Sequence, residues 1–129
     1  MALTATVAAL AWMENRRAGK PLTPQALTTL VNAGQAVVVD LRDKADYEKG
    51  HIVDSIHLPF SKWQAETAAD NPVHSLLDKH RDKPLILVCK MGQQSSHVAK
   101  RMQHAGFDSI YRLTGGVMEW QHAQMPLVK

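Results

Sequence analysis

Cysteine is the scarcest residue type in this 129-residue sequence, which contains only Cys89. A single cysteine cannot form an internal disulfide, and this excludes the disulfide-stabilised scaffolds of small secreted proteins. The sequence suits a reducing compartment, and we expect a cytoplasmic location. One free thiol is left that needs an explanation.

An apolar run of the roughly 20 residues that span a bilayer and an excess of charge of one sign are also missing. The sequence has 15 Lys and Arg against 12 Asp and Glu. This small surplus is spread along the chain rather than concentrated as in nucleic-acid-binding segments, so we expect no nucleic-acid partner. Hydrophobic residues make up 45% and charged residues 21% of the chain, which is typical of a globular domain and not of a disordered chain.

The first 20 residues differ in character from the rest. Residues 2–13 are almost all apolar or small, and residues 14–20 contain three basic residues. An apolar stretch of this length is too short to span a bilayer, which needs about 20 residues. We consider a surface helix packed on the domain, and alternatively the end of a membrane anchor that holds the domain at the inner face of a bacterial membrane. In both cases residues 1–20 form an N-terminal segment and residues 21–129 form one domain.

Strand and helix patterns alternate after residue 20. Apolar or β-branched runs predict strands at residues 36–41, 55–58, 85–89 and 109–113. Apolar residues at helical spacing predict helices at residues 23–34, 96–105 and from 117 onward, with looser helical pieces at 61–80. Strands separated by helices predict an α/β fold, in which a central parallel sheet carries helices on both faces.

Cys89 ends the most apolar of the predicted strands and is followed by a short loop that contains Gly92. Ligands of open α/β sheets bind at the carboxyl ends of strands, so Cys89 lies where an active site is expected. Gly92 can adopt a positive φ that turns neighbouring N–H groups toward the sulfur, and the next helix adds the positive end of its dipole. Both effects favour thiolate over thiol. The alternative is a cysteine that only fills the core.

Three motifs resemble those of the rhodanese family. Residues 89–95, Cys-Lys-Met-Gly-Gln-Gln-Ser, are similar to the family's active-site loop, with a glycine three and a serine six positions after the cysteine. The upstream motif is Val-Asp-Leu-Arg at 39–42 with Tyr47 and Gly-His-Ile at 50–52. The downstream motif is Leu-Thr-Gly-Gly at 113–116 with Trp120 and Pro126. The resemblance covers residues 37–126.

The resemblance implies the rhodanese fold and a sulfurtransferase in which Cys89 is alternately thiolate and persulfide. The implied partners are a small-molecule sulfur donor such as thiosulfate and an acceptor that is cyanide, a thiol or a protein cysteine. No cofactor is implied. Asp40 and Arg42 resemble the family's supporting pair, and an ion pair that only holds a turn is an equal alternative. The implied substrate-binding residues are Arg42, Lys90, Met91, Gly92, Gln93, Gln94 and Ser95.

The loop departs from the family in one respect. Many members carry arginine there, whereas Gln93 and Gln94 are neutral and Lys90 is the one basic residue of this loop. Thiosulfate carries two negative charges, so a loop with one cation binds it less strongly than a loop with two. We expect modest activity with thiosulfate, and a persulfide, thiosulfonate or protein donor is the alternative.

Three competing functions remain. Cysteine phosphatases need an arginine six positions after the nucleophile, where this sequence has Ser95. A binding or regulatory module of the same fold would leave Cys89 idle. Metal binding is disfavoured because the seven histidines show no i, i+4 pair typical of helical zinc motifs. The tryptophans are expected in the core, with Trp63 also considered as a cover for the Cys89 site.

Overall fold

Five strands form one parallel sheet. In the computed structural model, which describes residues 19–64, 78–80, 82–104 and 109–129, the strands are β1 (Lys20–Leu22), β2 (Val37–Asp40), β3 (Ile56–His57), β4 (Leu85–Val88) and β5 (Ile110–Leu113). Their order across the sheet is β1-β5-β4-β2-β3, and every adjacent pair is parallel. The helices are α1 (Pro24–Asn32), α2 (Lys44–Lys49), α3 (Phe60–Gln64), α4 (Gln93–His104) and α5 (Gly116–His122).

Apolar side chains cover both faces of this sheet. Successive residues of a strand point to opposite faces. Leu85 and Leu87 of β4 therefore pack with Val98 and Met102 of α4, while Ile86 and Val88 pack on the other face. That second layer is completed by residues of α1 and α5, namely Leu27, Val117 and Trp120. The predicted α/β fold with helices on both faces of a parallel sheet is confirmed.

The register of β2 against β4 decides which residues meet at the carboxyl edge of the sheet. Asp40 pairs with Val88, so the two strands end side by side. The N–H of Leu41 donates to the carbonyl oxygen of Val88 at 2.8 Å, which continues the pairing by one residue. Residues that follow β2 and β4 consequently meet at the same edge of the sheet.

Two local predictions are confirmed in detail. The helix predicted at residues 23–34 is α1: Thr23 caps it, because its Oγ1 accepts the N–H of Ala26 at 3.1 Å, and Pro24 occupies the first helical position. Trp63 is a core residue, 7% exposed, and its Nε1 donates to the carbonyl oxygen of Leu58 at 3.1 Å. Trp63 does not line the space next to Cys89, so the alternative that it covers the Cys89 site is wrong.

Other elements differ from the prediction. β1 and α2 were not predicted, and α4 begins at Gln93, three residues before the predicted start. Lys20 pairs with Tyr111 in the sheet, although the predicted domain boundary lies after it. The apolar residues 2–13 and most of the segment 61–80 lie outside the described residues. Among the helices that are described, none combines the length and the hydrophobicity required to cross a bilayer.

Candidate active site around Cys89

Cys89 lies at the carboxyl edge of the sheet, directly after β4. This strand is central, since β2 and β5 flank it. The Cys89 side chain is 1% exposed and belongs to the core layer beneath α4. A buried strand therefore holds the sulfur in a fixed position at the edge where parallel sheets bind ligands.

Two backbone N–H groups point at the Cys89 sulfur. The N–H of Gly92 donates to Sγ at 3.0 Å, and that of Ser95 donates at 3.4 Å. Gly92 has φ of 103°, a conformation that favours glycine. Ser95 lies in the first turn of α4, where N–H groups have no partner within the helix. Because both dipoles converge on one atom, they stabilise negative charge on the sulfur.

Two hydroxyl groups fix the peptide of Gly92. Ser95 Oγ and Ser96 Oγ donate to the carbonyl oxygen of Gly92 at 3.0 and 3.1 Å. Ser95 is fully buried, and its Oγ also lies 3.5 Å from Cys89 Sγ. Ser95 Oγ therefore accepts a hydrogen bond from the Cys89 thiol, whereas the hydroxyl of Ser96 bonds only the loop.

A tight turn before α5 supports the loop from behind. The N–H groups of Val117 and Met118 donate to the carbonyl oxygens of Cys89 and Lys90 at 2.8 and 3.1 Å. Gly116 has φ of 63°, and a Cβ built on it would lie 2.6 Å from the carbonyl oxygen of Lys90 and closer still to that of Cys89. Only glycine fits this approach of two backbones without displacing one of them.

Asp40 and Arg42 form a buried ion pair beside the site. The side chains are 1% and 8% exposed, and Arg42 Nη2 lies 2.8 Å from Asp40 Oδ2. Arg42 Nε and its backbone N–H also donate to Asp40 Oδ1, and Nη2 donates to the carbonyl oxygen of Gly50 at 2.7 Å. These bonds tie the residues that follow β2 to Gly50 at the end of α2, which is the turn-holding arrangement. A contact of Arg42 with substrate stays a prediction.

A cavity of about 280 Å³ opens above Cys89. It is lined by Cys89 together with Arg42, Asp43, Asp46, Lys90, Met91, Gln93 and Gln94. The structure thus brings the predicted loop residues and Arg42 around one space, with Gly92 and Ser95 beneath it through their N–H groups. Asp40 contacts Arg42 and does not line the cavity.

Three residues of this site were missed by sequence reasoning. Asp43 and Asp46, at the start of α2, place two carboxylates at the cavity. No local pattern marks them, since α2 lacks an apolar stripe. Gly116 supports the loop and belongs to the downstream motif at 113–116, but its contact with Cys89 joins residues 27 positions apart.

Comparisons with known proteins agree with this fold. The family model described as the rhodanese-like domain matches residues 23–123. Protein YibN of Escherichia coli K12, named as uncharacterized, is 39% identical over 110 residues, which are 85% of this chain and 73% of that protein. Thiosulfate sulfurtransferase GlpE of Stutzerimonas stutzeri is 36% identical over 107 residues, which are 80% of this chain and 85% of GlpE. The crystal structure of a rhodanese-related protein from Thermoplasma volcanium superposes with a TM-score of 0.69 at 22% identity, covering 84% of this chain and 96% of that one.

The fold and the site define an α/β domain with a cysteine loop at the carboxyl edge of a parallel sheet. The match over residues 23–123 then shows the family. The chain belongs to the rhodanese-like domain family, which has sulfurtransferases among its members.

Proposed function

We propose that this protein is a sulfurtransferase that carries sulfane sulfur as a persulfide on Cys89. The observation that carries the proposal is the convergence of the Gly92 and Ser95 N–H groups on Cys89 Sγ, at 3.0 and 3.4 Å, at the base of an open cavity. The similarity to a relative named as a thiosulfate sulfurtransferase supports the same reaction class.

In the first half of the cycle, the Cys89 thiolate attacks the outer sulfur of a donor. With thiosulfate, a bond forms between Cys89 Sγ and that outer sulfur, and the sulfur–sulfur bond of thiosulfate breaks. The electron pair of the broken bond leaves with sulfite. The outer sulfur of the resulting persulfide carries the negative charge and extends from the loop into the cavity.

In the second half, an acceptor removes the outer sulfur. The sequence has no second cysteine that could attack the persulfide from within the chain. The acceptor is therefore external: cyanide in an assay, or a small thiol or a protein cysteine. Donor and acceptor react in separate steps, which gives ping-pong kinetics.

Thiosulfate is expected to be a modest donor. Gln93 and Gln94 line the cavity without charge, and Arg42 is already neutralised by Asp40 at 2.8 Å. Lys90 is thus the one lining cation not held in an ion pair by a described residue. A persulfide or thiosulfonate donor, with less negative charge, is the favoured alternative.

Intact-mass analysis tests the carrier role. The protein is incubated with thiosulfate, and separately with a small-molecule persulfide and a thiosulfonate, and its mass is compared with that of Cys89→Ala. We expect a gain of one sulfur atom in the native protein only, reversed by cyanide with release of thiocyanate. No gain with any of the three donors contradicts the proposal and favours a binding module in which Cys89 is idle.

A phosphatase activity is not supported by the site. Ser95 occupies the position where cysteine phosphatases need an arginine that clamps phosphate in bidentate fashion. It is fully buried, and its hydroxyl is bonded to the carbonyl oxygen of Gly92. We expect no hydrolysis of a phosphomonoester by the purified protein.

The domain assignment and location are proposed as well. We assign the catalytic domain to residues 21–129 and residues 1–20 to an N-terminal segment, whose last residue, Lys20, begins β1. We also propose action in the cytoplasm, since one free cysteine thiol suits a reducing compartment. The membrane interpretation of residues 1–20 is tested by cosedimentation of the full chain, and of a chain lacking residues 2–18, with phosphatidylglycerol vesicles. Equal sedimentation of both contradicts attachment through this segment.

A further inference from the structure

The cavity above Cys89 continues into a second one. A space of about 200 Å³ shares Arg42, Asp46 and Lys90 with the first and extends to Met118 and Leu127. Shared walls make the two spaces one groove, which runs from Cys89 between α2 and α5. A small anion such as thiosulfate occupies only the end of this groove at Cys89. The remainder is available to a longer ligand.

The charge along the groove is uneven. Asp43 and Asp46 place two negative charges around Cys89, and Lys90 places one positive charge there. The charge of Arg42 is neutralised by Asp40. The net charge of these groups is negative by one. Lys49 lines the continuation and adds a positive charge there, so the negative charge is confined to the part next to Cys89. A nearby carboxylate opposes a dianion and attracts a cation, so the space next to Cys89 suits a positively charged group.

Two methionines lie along the same groove. Met91 lines the part at Cys89 and Met118 lines the continuation, and each is 53% exposed. Exposed methionine side chains adapt to varied apolar surfaces and are frequent where proteins bind polypeptides. The groove therefore offers apolar contacts as well as charge.

We propose that the groove binds a polypeptide segment in which a cysteine is flanked by basic residues, and that this cysteine accepts the sulfur from Cys89. The inference rests on the proposed persulfide function and names its partner. The basic side chains contact Asp43 and Asp46, the acceptor cysteine meets the outer sulfur, and the backbone of the segment extends along Met118.

Transfer to the acceptor is a nucleophilic substitution at the outer sulfur. The acceptor thiol loses its proton to solvent, and the thiolate attacks the outer sulfur of the Cys89 persulfide. A bond forms between the acceptor sulfur and the outer sulfur, and the bond between the outer sulfur and Cys89 Sγ breaks. The electron pair of that bond stays on Sγ, which returns to a thiolate held by two N–H groups. No further oxidant or reductant is needed.

The test compares two acceptor peptides. The protein is first loaded with sulfur on Cys89, and the rate of transfer is then measured by mass spectrometry to a peptide with lysines on both sides of its cysteine and to one with glutamates there. We expect the lysine peptide to react roughly tenfold faster at low salt, and this ratio to fall as ionic strength rises.

The decisive variant is Asp43→Asn with Asp46→Asn. The side chain of Asp43 makes no capping bond to α2, so the change removes charge and leaves the fold in place. We expect the ratio of the two peptide rates to drop to about twofold or less, while loading by thiosulfate becomes faster. Because the same peptides are used throughout, their intrinsic reactivities cancel in this comparison.

The matched control is Asp54→Asn with Asp82→Asn. Both residues are exposed and line neither part of the groove, and Asn tolerates the positive φ of 61° at position 54. This control has the same net charge as the decisive variant and should keep the native ratio. A protein that loads Cys89 but transfers equally to both peptides, or a decisive variant that keeps the native ratio, overturns this inference alone. Failure to load Cys89 with any donor overturns the proposed function and this inference together.

Discussion

The approach of Gly116 to the Cys89 loop leads to a quantitative prediction for Gly116→Ala. The new Cβ would lie 2.6 Å from the carbonyl carbon and oxygen of Lys90, whereas ordinary contact begins at 3.4 Å. Lys90 therefore has to retreat by about 0.8 Å, and the still closer carbonyl oxygen of Cys89 has to retreat further. Retreat along the bond from Val117 to Cys89 lengthens it from 2.8 Å to beyond the roughly 3.2 Å at which such bonds weaken.

Two terms contribute to the loss of stability. The positive φ of 63° costs a non-glycine residue about 1–2 kcal/mol. Loss of the bonds from Val117 and Met118 to the loop costs about 0.5–1.5 kcal/mol each. We expect Gly116→Ala to lower the free energy of unfolding by about 2–5 kcal/mol, measured by urea unfolding followed by tryptophan fluorescence. Persulfide formation on Cys89 should fall as well, because the displaced loop carries the Gly92 N–H.

Gly34→Ala is the matched control for this prediction. Gly34 has a similar φ of 68°, but a Cβ there meets no atom within 4 Å. It should cost only the backbone term of about 1–2 kcal/mol and leave persulfide formation unchanged. If Gly116→Ala destabilises the protein no more than Gly34→Ala does, then the close approach to Cys89 and Lys90 has no energetic weight and the reasoning is refuted.

Further predictions concern the loop and the ion pair beside it. Ser95→Ala should slow persulfide formation about fivefold, the equivalent of one hydrogen bond, because its hydroxyl, which donates to the carbonyl oxygen of Gly92, lies 3.5 Å from Sγ and can turn its proton to the sulfur when the thiolate forms. Ser96→Ala should change the rate less than twofold, since its hydroxyl bonds the loop and not the sulfur; equal effects would mean that the Ser95 hydroxyl only holds the loop. Gln94→Arg should raise kcat/KM for thiosulfate and Gln94→Glu should lower it; steady-state kinetics in which Gln94→Arg matches the native protein contradict the electrostatic argument. Arg42→Ala should lower the free energy of unfolding by about 3–5 kcal/mol, because it leaves Asp40 buried and charged, and adding Asp40→Asn should restore most of that loss in urea unfolding.

The local features of this domain were accessible from the sequence. Thr23 and Pro24 mark a helix start by their own chemistry, and α1 begins there. The run at residues 85–89 is apolar throughout because β4 is covered on both faces. Gly92 was expected at positive φ because a loop that turns N–H groups toward a sulfur needs such a residue, and its φ is 103°. In each case neighbouring residues decide the conformation.

The features that the sequence did not reveal depend on distant partners. β1 contains only Lys20, Pro21 and Leu22, and it exists through pairing with β5, which is about 90 residues away. None of the residues of α2 is buried, so the helix has no apolar periodicity to detect. Asp43 and Asp46 follow β2, and Cys89 follows β4. The two carboxylates reach the cavity at Cys89 because these strands end side by side. Sequence spacing carries no information on such a contact.

The burial of Cys89 bears on which sulfur of the proposed persulfide reacts. An acceptor thiolate that attacked Sγ would form a mixed disulfide with the protein and release hydrosulfide, and the cycle would stop. Cys89 is 1% exposed, and its Sγ is enclosed by the loop from Gly92 to Ser95. The outer sulfur stands one bond further out, on the side of the cavity. Because exchange at sulfur depends on access to the atom attacked, burial directs the acceptor to the outer sulfur. The loop therefore stabilises the leaving thiolate and also protects the one atom whose attack would be unproductive.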